Sequence, residues 1–300
     1  MQTCRYDRPE TIEQAVALLG AAAGEAHLLA GGVALGILMN EKLVEPDWLI
    51  DISRIESLRR VECRKGGGLR IGALASHRQL ELSQDVRREA PLLIEMYREV
   101  ACNRIKNRGT IGGNICLGDP QADPPVALMA LNATFVAIGP NGSRDIPARE
   151  FFTDLYATAL AEDEILAEIL LPAMPANSGA AYAKFGARKA MDYSSTISVA
   201  VQLIRDPESG VIVEAGVAAG GVIDVRPIWL ETTTGLLCGR APSLELDGPI
   251  RDAINEDVAP EGDHVYSAEY KRHVVCILLN RALRTAYERA VQAGKSRDEC

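Results

Sequence analysis

Along the first fifty residues the spacing of apolar positions switches twice between a helical and an extended period. Ile12, Val16 and Leu19 fall on one face over residues 11–19, and Thr11 followed three positions on by Gln14 is a capping-box pattern, so a helix is predicted to open there. The short apolar run Ala26 to Leu29 predicts a strand. After Ala30-Gly31-Gly32-Val33 a second amphipathic stretch carries Leu35, Ile37, Leu38 and Met39, and Trp48-Leu49-Ile50-Asp51-Ile52 reads as a buried strand. These pieces compose a small β-α-β-α-β opening unit, with a glycine pair in its strand-to-helix turn.

Beyond it, Gly66-Gly67-Gly68 reads as a hairpin-like turn into the alternating strand Leu69 to Leu74. Helical patterns follow at Gln79 to Leu82 and Leu92 to Cys102, and a second glycine cluster, Arg108-Gly109-Thr110-Ile111-Gly112-Gly113-Asn114, interrupts them. Asp119 to Pro125 reads as loop, Val126 to Leu131 as helix, Phe135 to Ile138 as strand, Pro140 to Ser143 as turn, and Glu164 to Leu171 as a strand stopped by Pro172. Pro172 to Gly179, rich in small residues, is the predicted domain linker. Three strands (Ala181 to Phe185, Ile197 to Ile204, Val211 to Ala218) and three helices (about Ile228 to Leu237, Ile250 to Ile254, Ala268 to Val291) are expected after it.

Composition narrows the function. A formal net charge of −9 leaves no basic face for a polyanion, which argues against nucleic acid. The longest apolar runs fall far short of the roughly 20 residues that span a bilayer. Met1 to Glu10 is too polar for a secretory signal, so a cytoplasmic protein is expected. Seven cysteines without a CxxC pair, and four scattered histidines without HExxH, predict no metal site on this chain. GxGxxG, GxxxxGK[ST] and GxSxG are all missing, and no catalytic residue stands out.

What remains is the pair of glycine loops. One Gly-Gly turn alone is most often just a turn. Successive backbone N–H groups in such loops form an anion nest, however, and glycine lets a phosphate approach without a Cβ clash. An acidic chain could hold a pyrophosphate this way without a basic patch, with Thr110 and Asn114 adding side-chain hydrogen bonds. Asp123, in a proline-bounded loop, fits either an acceptor from ribose or ribityl hydroxyls or a plain helix-capping aspartate.

These residues carry a resemblance. Leu29 to Gly36 is similar to the AGG[TS]xL loop, and Asn107 to Asn114 to the RNxGTIGGN motif, of the FAD-binding (medium) subunits of molybdenum hydroxylases, the family of carbon monoxide dehydrogenase medium subunits and the xanthine dehydrogenase flavin domain. Asp119 to Asp123 resembles its SPxAD segment, Tyr182 to Asp192 its FxKxxRRxxxD stretch, and Ser267 to His273 its SAEYRRH helix start. Val33 departs from the Thr or Ser of the first loop and so lacks a hydroxyl for phosphate, and Gly118-Asp119 replaces the serine position of SPxAD.

The resemblance implies an α+β fold: a PCMH-type FAD-binding domain over 1-175 with subdomains of about 1-55 and 56-175, then a C-terminal flavoprotein domain over 179-290 with a three-stranded sheet and helices. It implies that Leu29, Ala30, Gly31, Gly32, Val33, Ala34, Leu35 and Gly36, with Thr110, Ile111, Gly112, Gly113 and Asn114, cradle the FAD diphosphate. Asp123 is then expected on the adenosine side, Lys184 near the flavin ring, Asp192 and Tyr193 beside the isoalloxazine, and Ala101 and Leu166 in contact through backbone or apolar surface. The implied role is an oxidoreductase subunit taking electrons from a [2Fe-2S] small subunit to an acceptor such as NAD, quinone or oxygen. Molybdopterin would sit in a separate large subunit, the whole a dimer of heterotrimers. A self-sufficient FAD-dependent dehydrogenase and a flavin-free scaffold subunit are the competing readings.

Overall fold

The computed structural model describes residues 4–186, 196–242 and 247–298. Its opening unit is a parallel sheet of β1 (Arg5–Asp7), β2 (Ala26–Leu29) and β3 (Trp48–Asp51) in the order β1-β3-β2, with α1 (Ile12–Ala22) and α2 (Val33–Asn40) as crossovers. The Thr11 hydroxyl accepts the Gln14 N–H at 3.3 Å, as in a capping box, while the Gln14 side chain accepts the N–H of Glu10, one residue before the cap, at 2.9 Å. Helix α1 buries Ala15, Val16, Leu19 and Ala22. By contrast, α2 buries none of its eight residues, although most are apolar.

The second unit contains β4 (Val61–Cys63), β5 (Leu69–Gly72), α3 (His77–Leu82), α4 (Gln84–Glu89), α5 (Pro91–Glu99), α6 (Asn103–Arg108), α7 (Ile111–Leu117), α8 (Asp123–Ala130), β6 (Thr134–Gly139), β7 (Gly142–Pro147), α9 (Ala148–Phe151), β8 (Phe152–Asp154), β9 (Ala157–Thr158) and β10 (Ile165–Leu171). Five of these strands form an antiparallel sheet in the order β4-β5-β10-β6-β7, and β8 and β9 form a separate hairpin. The Gly66 to Gly68 turn closes the β4–β5 hairpin through Arg64 N–H to the Gly68 carbonyl at 3.0 Å. The helix expected to run from Leu92 to Cys102 stops at Glu99, because Ala101 takes a left-handed φ of 37° and the chain restarts as α6.

The third unit is a sheet of β11 (Ser178–Phe185), β12 (Ile197–Arg205), β13 (Ile212–Gly221) and β14 (Ile228–Trp229), with α10 (Glu231–Leu237), α11 (Asp247–Asp257) and α12 (Ala268–Asp298). It has four strands where three were expected. Ile228 and Trp229, which the sequence pattern places in a helix, pair with Ala219 and Ala218 as a two-residue edge strand, and the helix begins at Glu231. A two-residue apolar pair has no period to distinguish strand from helix.

The layers stack on shared strand faces. Ala15, Val16 and Leu19 of α1 and Ile50 of β3 pack with Ile165 and Ala167 of β10, so the opening unit covers one face of the five-stranded sheet. The other face, with Leu166, Ile169 and Leu171, joins α5 and α8 in the largest core. A bulge between Leu166 and Glu168 brings Leu166 and Ile169 to the same face despite their odd spacing. Ala180, Tyr182, Ala200 and Ala218 of the third unit enter this same core, whereas Val199, Val201 and Leu203 pack on the other side with α12. The four-stranded sheet is therefore covered on both faces, which explains why every residue from Ile197 to Val201 in β12 is buried, Ser198 included.

Candidate cofactor-binding site

The two glycine loops meet. A Cβ at Gly31 would lie 2.0 Å from the Arg108 carbonyl oxygen, so only glycine permits this approach, and Ala30 faces Gly113 across the same junction. The first loop turns into α2 through Gly32, whose φ is 69° and which offers no side-chain cap. Consequently the N–H groups of Val33, Ala34 and Leu35 have no acceptor among the described residues. They form a row of free donors at a helix N-terminus, the arrangement that holds phosphates elsewhere. Leu29 and Gly36 flank that row, and neither they nor Leu35 supply polar side chains.

The second loop works differently. Ile111 donates to the Ala75 carbonyl at 3.0 Å, Gly112 to Ala73 at 2.8 Å, Gly113 to the Thr110 hydroxyl at 3.1 Å and Asn114 to the Thr110 carbonyl at 3.0 Å. Every amide from 111 to 114 is thus engaged inside the protein. Gly112 is required by packing: a Cβ there would sit 2.6 Å from that of Ala73. The expectation that both loops offer backbone donors in the same way therefore changes; the second is a rigid wall templated by residues 73–77, and the first carries the free amides. What the second loop contributes outward is a side chain. The Asn114 Oδ1 is buried without a hydrogen-bond partner among the described residues, an orphan acceptor beside the junction.

A second cluster forms where α8 meets β11. Asp123 is wholly buried, with one carboxylate oxygen accepting from the Tyr182 hydroxyl and the other from Lys184 Nζ at 2.8 Å. Lys184 Nζ also donates to the Glu99 carbonyl at 3.2 Å, two residues before the left-handed Ala101. So Glu99, Asp123 and Lys184, distant in sequence, are brought together around one ammonium, with Ala101 two residues beyond Glu99. Burial first, and then the charge of Asp123, push the Tyr182 phenol well above its usual range, so it stays a donor. Both Asp123 oxygens are thus engaged within the protein.

Leu166 lies inside the main core, 3 % exposed, and offers packing rather than an open face. Asp192 and Tyr193 lie outside the described residues. In the loop before α8, burial raises the Asp119 carboxyl, while Oδ1 accepts the Gln121 N–H at 2.9 Å. Three participants carried no role in the sequence reading: the Arg108 carbonyl, the Tyr182 hydroxyl and His77. Tyr182 alone had a signal, as the aromatic two positions before Lys184. His77 donates its backbone N–H to Gly109 at 3.0 Å and its ring packs against that glycine, which fixes the entry to the second loop.

Comparison with known proteins matches residues 2–174 to the FAD binding domain in molybdopterin dehydrogenase and residues 180–286 to the CO dehydrogenase flavoprotein C-terminal domain. The chain is 35% identical over 286 residues to the carbon monoxide dehydrogenase medium chain of Hydrogenophaga pseudoflava, covering 95% of this chain and 97% of that one. It is 29% identical to the glyceraldehyde dehydrogenase medium chain of Sulfolobus acidocaldarius, covering 93% and 96%. A solved carbon monoxide dehydrogenase from Hydrogenophaga pseudoflava, in the form lacking the Mo-pyranopterin moiety, superposes with a TM-score of 0.89 at 35% identity, covering 95% of this chain and 98% of its own.

Proposed function

The chain belongs to the family of FAD-binding medium subunits of molybdenum-containing dehydrogenases, and from that premise we propose that it is the electron-transfer subunit of a heterotrimeric hydroxylase. In this reading a substrate is oxidised at molybdenum in a large subunit, and electrons arrive through a [2Fe-2S] small subunit. An external acceptor, NAD, quinone or oxygen, takes them away. FAD, when bound, supplies the exchange of electrons between the partner subunit and that acceptor. The chain's own residues bind, orient and tune the cofactor.

The observation that carries this reading is the row of free amides at Val33, Ala34 and Leu35, set beside the orphan Asn114 Oδ1 where Gly31 abuts Arg108. Donors without partners fit a diphosphate, and an acceptor without a partner fits a cofactor hydroxyl or amine. The buried Lys184, two of its three donors anchored by Asp123 and the Glu99 carbonyl, fits a place near the flavin ring. The Hydrogenophaga relative is by name the medium chain of a larger enzyme, which supports partner subunits for this chain; in this proposal they are an iron–sulfur and a molybdopterin subunit, in a cytoplasmic dimer of heterotrimers.

Titration of the purified chain with FAD tests the cofactor half of the proposal. Stoichiometric uptake, with flavin absorbance retained through gel filtration, is expected; a colourless protein would sink it. Isolation of the native complex with metal and flavin analysis tests the partner half, and recovery of the chain alone, without iron or molybdenum, would refute it.

A further inference from the structure

Tyr182 and Lys184 stand two positions apart on β11 and so project from the same face of the sheet, toward α5 and α8. There they divide the Asp123 carboxylate between them, the phenol holding one oxygen and the ammonium the other. The side chain of Lys184 is 8% exposed and that of Asp123 is fully covered, so water screens this cluster little. An ammonium has three N–H groups. Asp123 and the Glu99 carbonyl take two, and the third has no acceptor among the described residues. The phenol hydrogen drains part of the carboxylate's negative charge, so the ammonium is only partly neutralised by its partner. In a chain of net charge −9, this is a positive centre pinned in place from two sides.

The geometry points to Tyr182 as a positioning residue of the flavin site: by holding one oxygen of Asp123 it fixes the direction of the outward N–H of Lys184 and the positive charge that this N–H presents to a bound flavin. This rests on the reading that the chain holds FAD. Reduced flavin carries more negative charge than oxidised flavin, so a less neutralised ammonium favours the reduced form. Removing the phenol hydrogen returns the full carboxylate charge to Lys184 and weakens that preference.

The test is the midpoint potential of the flavin in the full-length chain reconstituted with FAD, measured for wild type, Tyr182→Phe, Lys184→Met and the double variant. Tyr182→Phe keeps shape and volume, and stoichiometric FAD uptake is expected to persist. Its preference for reduced over oxidised flavin should fall about tenfold, which is about 30 mV more negative for a two-electron couple. In the Lys184→Met background the same substitution should add nothing, because the effect runs through the ammonium. Asp123→Asn, which removes the charge but keeps the shape, should move the potential the other way. An unchanged potential in Tyr182→Phe, an undiminished shift in the Lys184→Met background, or a fall with Asp123→Asn would each overturn the inference. A wild-type chain that takes up no flavin overturns the reading of the site itself, and is told apart by the absence of flavin absorbance.

Discussion

At Gly31 a single hydrogen in place of a methyl decides whether the two loops can touch. Gly31→Ala would place a carbon 2.0 Å from the Arg108 carbonyl, so the loops must separate. Overpacking of this kind costs roughly 1–3 kcal/mol, and FAD affinity should fall about tenfold or more, read by titration with the flavin's own fluorescence. His77 makes a different prediction. Burial, with the charge of Lys106 adding, pushes its imidazole down from 6.5 to about 4, and its Nδ1 has no partner among the described residues. The unfolded chain therefore takes up this proton first as pH falls, and native stability drops from pH 6.5 toward 4 by about 3 kcal/mol, with no loss above that window. His77→Gln should flatten the stability curve in that window, measured by urea unfolding at stepped pH; an unchanged curve would show that another group carries the effect. The residues that do this work were unequally legible. Gly112 stands out in the sequence, but its reason for being glycine is Ala73, a packing contact that no local pattern displays.

At the level of elements, α2 and α7 both follow glycine loops and look alike as strings, yet they present opposite faces to a ligand. Thr110 caps α7 and accepts from Gly113, so that helix starts closed. Gly32 leaves α2 open, and Val33 at its first position lacks the hydroxyl seen in the family motif. Val33→Thr is therefore expected to tighten FAD binding by about 0.5–1.5 kcal/mol, the worth of one added hydrogen bond, as measured by calorimetry. Helix α1, strand β3 and the long strands of the third sheet follow from their apolar patterns, since each buries a continuous face. What the pattern could not supply was the acceptor for each loop amide. Ala73 and Ala75 lie more than thirty residues before the amides they bind, and nothing in the composition of residues 73–77 marks them as a template. The two-residue strand Ile228–Trp229 was hidden for the opposite reason, being too short to carry a period.

Across the whole molecule the two matched domains share one core, because α5 and α8 pack on the inner face of the four-stranded sheet. The Asp123–Lys184 pair and the Arg289 bond to Glu95 at 2.7 Å cross the same boundary. Sequence alone separates these halves at a linker, since pairing between residues about sixty or two hundred positions apart leaves no local trace. An exception to this burial is α2. With Ile37 52% and Leu43 73% exposed, the stretch has little apolar packing of its own to hold it. Limited proteolysis should cut residues 30–44 readily in the flavin-free chain and slowly once FAD is added, and equal rates would contradict this. A ligand that binds only the folded form stabilises it by mass action. The cofactor would then serve as a missing piece of the interior, and the amount of this protein in a growing cell would rise and fall with its riboflavin supply.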